Sequence, residues 1–556
     1  MIRLALLWHM HQPFYQDLAT GEHILPWVRM HALKDYRGMV DVLEPFPGVR
    51  ATFNLVPSLL TQLQAYAEDR AQDRHLAVGL APAEELTQSD RTFLGLNGFH
   101  APYHRMIGPY PRYADLHARR EEVGQWNLAD LRDLQVWHKL AWMDPDWLTR
   151  DPRLIGLVEK GRDFSEEDKG LLRAVELDLL KTTIPAYRRA LERGQVELST
   201  SPFYHPILPL LCDTDAHLAA FPDAARPRHP FRRPIDAREQ VARAVRFHTD
   251  LFGEAPTGLW PSEGSVSNLM VPIVAIEGLR WMATDEDVLA RSLGEPLPRD
   301  GDGLPLRPEI LYRPYQVEAG AARVNLLFRD HALSDRIGFH YQSWEAHHAV
   351  DDFLWRVRES GRRFEERTGG EDATIAVILD GENAWEHYPG GGRPFLRELY
   401  GRLEAAADIQ TVTMAEAASL EARTLPSVFP GSWIHADFYI WAGHRDDQRA
   451  WSQLSDLRAA FDERAPFVST AARDQAYEEL LIAEGSDWFW WYGDDHSSDQ
   501  DAEFDELFRR HVRNGYTALG LDPPAELNET NISTAPGSGE AAGAMTRVDG
   551  SDEHES

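Results

Sequence analysis

Thr374-Ile-Ala-Val-Ile-Leu-Asp380-Gly-Glu-Asn-Ala-Trp-Glu386 is the stretch on which the reading of this chain turns. Its first part, Thr374 to Leu379, is a short apolar run rich in β-branched residues, and it stops on Asp380. The continuation sets three acids beside a tryptophan. A solvated turn accounts for the acids but not for the aromatic. A buried strand that delivers carboxylates and an aromatic face to one functional rim accounts for both.

Six more runs of this kind precede it: Arg3 to Trp8, Arg50 to Phe53, Val196 to Ser199, Thr257 to Trp260, Arg280 to Thr284 and Arg323 to Phe328. Most lead into a helical pattern, the signature of parallel βα units. Ile409 to Val412 reads as an eighth strand or a peripheral one. The expected fold class is therefore α/β, a (β/α)7-type barrel of seven or eight strands, although a doubly wound open sheet gives similar local signals. About 140 residues separate the second run from the third, with helical periodicity at 127–142 and 166–193. A helical insertion over about 65–193 follows, on the loop side of the barrel. Residues 1–425 form the barrel domain in this reading. Beyond it, helical patterns at 446–463, 471–484 and 501–519 predict a mainly helical C-terminal domain, 426–525. From 526 to 556 the chain loses periodicity and reads as a disordered tail, with Asn528 and Asn531 in unused glycosylation sequons.

Charge narrows the partners. Lys and Arg number 57 against 89 Asp and Glu, a net charge of -32, so nucleic acid and anionic membrane surfaces are repelled and a neutral substrate fits more easily. Lysine occurs only at 34, 139, 160, 169 and 181; adaptation to high salt and a codon bias toward arginine both explain this. Cys212 is the single cysteine, which leaves no internal disulfide. The Leu4 to Trp8 run is too short for a signal peptide, and no apolar stretch approaches 18 residues. A cytoplasmic location is expected.

The reactive residues of a parallel barrel stand where its strands end. Here those ends read His9-Met10-His11-Gln12-Pro13, then Asn54, then Ser201 to His205, then Trp260-Pro-Ser-Glu263, then Asp285-Glu-Asp287, then Arg329-Asp-His331, then Asp380 to Glu386. Carboxylates, histidines and tryptophans on one rim suit glycoside chemistry, in which one carboxylate meets the anomeric carbon and another carboxyl protonates the leaving oxygen. Alternatives stand beside each assignment. Glu263 also reads as a loop acid favoured by a helix N-terminus. His9 and His11 serve sugar hydroxyls, or a divalent metal shared with Asp285, Asp287 or Asp330, or merely the core. The segment Asp487-Trp-Phe-Trp490-Trp-Tyr-Gly-Asp-Asp495-His496 is either a core plug or a stacking wall.

Five motifs in order carry a resemblance: His11-Gln12-Pro13, Glu197 to Leu211, Trp260 to Glu263, Asp380 with Glu382, and the tryptophan-rich 487–496. Over residues 1 to 525 this order resembles glycoside hydrolase family 57, and within it the amylopullulanase and α-amylase group. The resemblance implies a seven-stranded barrel followed by helices, no catalytic metal and no cofactor. It implies Glu263 as nucleophile, forming a glucosyl-enzyme intermediate, and Asp380 as acid/base, with retention of the α configuration. His11 and His205 match subsite hydrogen-bond donors; Trp260 and Trp385 flank the carboxylates. His9, Asp285, Glu382, Trp490 and Asp495 complete the expected substrate contacts. The expected activity is internal cleavage of α-1,4 bonds, with α-1,6 bonds as a second target, in glycogen, starch or maltodextrin. The rivals are a 4-α-glucanotransferase or branching enzyme, a metal-dependent carbohydrate deacetylase, and a silent glucan-binding protein. The motif Trp-Pro-Ser-Glu-Gly-Ser departs from the Pro-Glu-Cys and Pro-Glu-Met forms of the branching enzymes and some glucanotransferases, which weakens both of those rivals without excluding them.

Overall fold

The computed structural model describes residues 1–533 apart from Asp494 and Ser497. All seven expected runs are strands: β1 (Ile2–Met10), β2 (Ala51–Leu55), β3 (Val196–Ser199), β4 (Gly258–Leu259), β5 (Trp281–Asp285), β7 (Ala322–Arg329) and β8 (Ala373–Asp380). They run parallel in the cyclic order β1-β2-β3-β4-β5-β7-β8. A single bridge between Thr200 and Leu259 joins β3 to β4, and one between Ala376 and Arg329 joins β7 to β8. The sheet is thus a nearly closed barrel and not a doubly wound one.

Three further strands of the same sheet lie off that ring, and Glu22–His23 pairs with Gln72–Asp73 in a separate two-stranded sheet. β9 (Ile409–Val412) pairs with the lower half of β1, Ile2 to Ala5, while β2 takes the upper half of the same edge, Leu7 to Met10. The eighth run is therefore a wedge beneath β2, because one edge of a nine-residue strand is long enough to be shared. β6 (Tyr315–Ala319) forms an antiparallel hairpin with β7 about a turn at Gly320, whose φ of +66° suits glycine, and β10 (Arg423–Leu425) adds to β6. An expectation built on parallel βα units had no place for this hairpin.

Side chains alternate across a strand, so every second residue of a barrel strand faces inward. Ala5, Leu7, Trp281, Ala283, Leu327, Ala376 and Ile378 form one buried cluster with Val412, Met414, Ala417 and Ala418 of the wedge and the short helix after it. This is the barrel's interior, plugged from below. The carboxylate of Glu197 crosses it, accepting from Thr52, Thr257, Trp281 and the Ala415 main chain at 2.8–3.0 Å. Continuing the same alternation upward, the next inward positions are His9, Asp285, Arg329 and Asp380. The period that packs the core also delivers the polar rim.

The insertion is helical, ending in the long helix Glu166–Glu192. Arg29, outside the insertion, binds it through buried ion pairs with Glu176 and Asp73, and Lys139 pairs with Glu176 within the insertion. After the barrel, the helices Arg445–Arg464, Thr470–Ala483 and Asp501–Ala518 pack together. Of the segment read as a tail, the described part is packed chain. Leu527 is buried, and the buried Asn531 amide exchanges hydrogen bonds with Gln453 at 2.9–3.0 Å. The remainder, from 534, lies outside the described residues. No helix among the described residues is long and apolar enough to cross a membrane.

Candidate functional site

Asp380, His9, Asn54 and Ser199 are successive register partners across β8, β1, β2 and β3. This layer is wired laterally. His9 Nδ1 donates to Asn54 Oδ1 at 2.7 Å, Ser201 Oγ donates to the same oxygen at 2.9 Å, and Asn54 Nδ2 donates to Ser199 Oγ at 3.1 Å. Burial, then the charge of His11, lowers the His9 pKa to about 3, so its ring is neutral at physiological pH. With Nδ1 donating, Nε2 is left as an acceptor.

Above this layer β1 continues into His11. Its main-chain N–H donates to Glu382 Oε1 at 3.0 Å and its Nε2 donates to Asp487 Oδ1 at 2.7 Å. His205 stacks on His11 with ring centroids 3.8 Å apart, and burial holds its pKa well below the usual value. His11 Nδ1, His205 Nε2 and Glu382 Oε2 are buried with no protein partner. Polar atoms in that state are costly unless a ligand or water completes them.

Glu263 sits on the turn after β4 with φ +56° and ψ +28°, left-handed values that cost a non-glycine residue about 1–2 kcal/mol. Tertiary contacts hold it there. The Trp433 main-chain N–H donates to the Glu263 carbonyl at 2.9 Å, and the Trp433 indole donates to Oε2 at 2.9 Å. His205, His435 and Ala436 share the left-handed conformation, as do Asp69 and Asp163 in the insertion. Burial pushes the Glu263 carboxyl well above its usual range, and the charges of Asp380 and Asp487 add to the effect. Burial likewise raises Asp380 to about 6, against the Asn383 amide, which donates to Oδ2 at 3.1 Å, and the charges of His11 and Arg329. Glu382 is raised well above its usual range by burial and by Asp380. Three buried acids coupled in this way therefore do not all ionise at neutral pH.

Behind Trp433 lies an ion network. The guanidinium of Arg329 sits 5.3 Å from the indole centroid and donates to Asp285 at 2.9 Å, Asp335 at 2.7 Å and the Ile378 carbonyl at 2.8 Å. His331 bridges the same two carboxylates at 3.2 and 2.9 Å.

These groups line two lobes that meet at Asp380, Asn383, Trp433 and Trp490. One lobe, of about 100 Å³, contains Glu263, His9, His11, Glu382 and Asp487. The other, of about 960 Å³, contains Arg329, His331, Asp495 and the aromatic rings of Phe221, Phe339 and Tyr439. The structure thus brings together Glu263, Asp380, His9, His11, Glu382, Trp490 and Asp495. It places others elsewhere. Trp260 and Trp385 are completely buried and line neither lobe. Trp385 packs edge-on against Trp8 at 5.7 Å and donates to the Gly381 carbonyl, and Trp260 packs against Trp433 at 5.5 Å. Adjacency in sequence pointed them at the cleft, whereas their packing makes them its foundation. Asp285 stands behind Arg329 and His331, and His205 behind His11. The 487–496 segment divides between the two readings: Trp488 and Phe489 are core, Trp490 and Asp495 face the cleft, and Asp494 lies outside the described residues.

The metal alternative required His9 and His11 to converge with Asp285, Asp287 or Asp330. Among the described residues, two groups have ligand atoms within 4.8 Å of one another: His11 with His205 and Asp487, and Asp285 with Asp287 and His331. Neither unites the proposed set. Asp330 instead accepts from Arg299 and Tyr312. The sequence reading did not single out Trp433, Asn383, Arg329 or Asp335 as site residues. Arg329 had a signal, its position at a strand end, but Trp433 follows no strand and carries none.

The sequence profile of glycosyl hydrolase family 57 matches residues 5–428. Among curated relatives, α-amylase 1 of Dictyoglomus thermophilum is 26% identical over 95 residues, which span 17% of this chain and only 11% of that protein. Among solved structures, a branching enzyme from Thermococcus kodakaraensis superposes with a TM-score of 0.58 at 17% identity, covering 93% of this chain and 90% of its own. An α-amylase from Thermotoga maritima gives 0.57 at 14% identity, covering 93% of both chains. A 4-α-glucanotransferase from Thermococcus litoralis gives 0.50 at 15%, covering 93% of this chain and 59% of that one. At these identities the likeness is one of fold.

Proposed function

The chain belongs to glycosyl hydrolase family 57, an enzyme of the glycoside hydrolase type, and from that premise we propose that it cleaves α-glucosidic bonds of an α-glucan with retention, through Glu263 and Asp380. The observation that carries this reading is the electrostatics of the pair: two buried carboxyls, both raised, with Glu263 pushed further by the charge of Asp380. Such a pair holds one proton between them, the state that glycoside cleavage requires.

In the first half-reaction a Glu263 oxygen bonds to the anomeric carbon as the bond to the leaving oxygen breaks, and the Asp380 proton passes to that oxygen. In the second, Asp380 takes a proton from water, the water oxygen bonds to the anomeric carbon, and Glu263 leaves. Burial raises both carboxyls. The developing positive charge of an oxocarbenium beside Glu263 favours its ionised form and leaves the proton on Asp380. The unpartnered atoms of His11 and Glu382, which line the lobe with Glu263, are suited to sugar hydroxyls. The Trp433 indole occupies Glu263 Oε2, leaving Oε1 to attack.

A second reading, 4-α-glucanotransferase or branching activity, is favoured by the large open lobe, which has room for an acceptor sugar in place of water. Incubation with maltoheptaose and, separately, with pullulan tests both. Shorter products alone mean hydrolysis, longer ones mean transfer, and maltotriose from pullulan means α-1,6 cleavage. Glu263→Gln is expected to lose at least about a hundredfold in rate, several kcal/mol in the barrier. Near-normal turnover by that variant refutes the assignment, and glycogen binding without products favours the binding protein.

A further inference from the structure

The two lobes differ in kind, and the difference bears on where along a chain the enzyme cuts. Given the roles above, on which this inference rests, the sugar whose anomeric carbon is attacked lies with Glu263, in the lobe of about 100 Å³. Asp380 protonates the oxygen of the departing sugar, so the leaving chain occupies the lobe that Asp380 shares but Glu263 does not, of about 960 Å³. In an α-1,4 glucan the attacked sugar lies toward the non-reducing end. The non-reducing side of the substrate is therefore confined to the small lobe.

The far wall of that lobe is built from buried side chains. Trp27, at the start of the helix Trp27–His31, donates its indole N–H to Gln500 Oε1 at 2.8 Å. That bond ties the barrel side of the molecule to the residue leading into the C-terminal helix Asp501–Ala518. Behind Trp27 stands Trp142, with ring centroids 5.8 Å apart. The Gln500 main-chain N–H donates to Ser498 Oγ, and Phe504 and Tyr15 continue the wall. All four wall residues are buried: Trp27 6%, Gln500 7%, Phe504 4% and Tyr15 2% exposed. A channel leading outward through this wall would leave them exposed.

We propose that the Trp27–Gln500 contact ends the donor side of the site, so that the enzyme acts at the non-reducing end of an α-glucan and detaches a short unit of no more than about two glucoses. The large lobe, walled by Phe221, Phe339 and Tyr439, holds the remaining chain. On this proposal the cut falls at the chain end, where the sequence reading expected internal cleavage. The chemistry is unchanged whichever acceptor arrives: water releases the short unit, and a sugar hydroxyl receives it.

The test compares p-nitrophenyl maltoheptaoside with the same compound blocked by a 4,6-O-ethylidene group at its non-reducing end. The free compound should yield glucose or maltose as the first products, and the blocked one should react at least about tenfold more slowly. Equal rates, or early accumulation of maltotriose to maltopentaose, overturn the inference while leaving the family chemistry standing. No turnover of either compound overturns the functional reading itself, and this inference with it. Trp27→Ala should lengthen the detached unit to three or more glucoses. Gln500→Ala, which removes only the partner of the indole, should do so to a lesser degree and serves if the first variant does not fold. A folded variant that still detaches only the short unit counts against the wall.

Discussion

Trp433 holds Glu263 twice, through its main chain to the Glu263 carbonyl and through its indole to Oε2, each at 2.9 Å. The residues are 170 positions apart in sequence. One contact secures a left-handed turn and the other orients a carboxylate, so a single aromatic residue fixes both the backbone and the side chain of the proposed nucleophile.

Trp433→Phe keeps the ring over which Arg329 sits but removes the indole donor. A hydrogen bond to a charged group contributes about 1.5–3 kcal/mol, so kcat/KM is expected to fall about 10- to 150-fold. Thermal stability should fall as well, because the smaller ring gives up packing against Trp260, and a retained cooperative melting transition shows that the variant is folded. Steady-state kinetics on a maltodextrin checks this, and an unchanged kcat/KM refutes the role.

The pH profile should show an acidic limb near 6. Burial raises Asp380 to about 6 and pushes Glu263 well above its usual range, so in more acidic solution both carboxyls become protonated and no nucleophile remains. Above that limb the pair carries the single proton that works. Asn383 donates to Asp380 and lowers its pKa, so Asn383→Ala should move the limb to higher pH. A limb that stays in place or moves downward contradicts the assignment.

His331 should make folding stability fall as solution becomes alkaline. Burial opposes its charge, but hydrogen bonds to Asp285 and Asp335 prevail and raise its pKa from 6.5 to about 10. A raised pKa stabilises the folded state in full below 6.5, and the contribution disappears as pH rises through about 10. The gap in melting temperature between the native chain and His331→Asn should therefore narrow between pH 6.5 and 10. A constant gap refutes the charged imidazole.

Gly258 on β4 has no room for a methyl group. A Cβ there lies 1.7 Å from Trp281 Cε2 and 2.1 Å from Nε1, and that indole is already committed to Glu197 at 2.9 Å. Gly258→Ala should destabilise by about 1–3 kcal/mol or more as Trp281 is displaced. Calorimetry or thermal circular dichroism should show a lowered transition, and an unaltered one would mean that the barrel interior yields more readily than its packing implies.

Much of this molecule was legible in the sequence because the information is local. A short apolar run such as Thr374 to Leu379 can hardly be anything but a buried strand, and in a parallel barrel the residue after it stands on the rim. That logic placed Asp380, His9 and His11, and the order of motifs added a role for Glu263. Other features rest on long-range contacts that no window of sequence contains. Trp260 and Trp385 read as cleft residues from their neighbours, yet the rings of Trp8 and Trp433 claim them for the core. Trp433 follows no strand and announces nothing, yet it meets Glu263 because the loop after the barrel folds back over β4. The sequence determined that parallel βα units form and which acids stand at the ends of their strands, since alternation along a strand and burial of apolar runs are properties of neighbouring residues; whether the sheet closes is a matter of its far edges meeting. Only the tertiary structure decided how those acids are charged, which tryptophan orients Glu263, and where Trp27 and Gln500 close the site. Desolvation and contact across hundreds of residues exist only once the chain is packed.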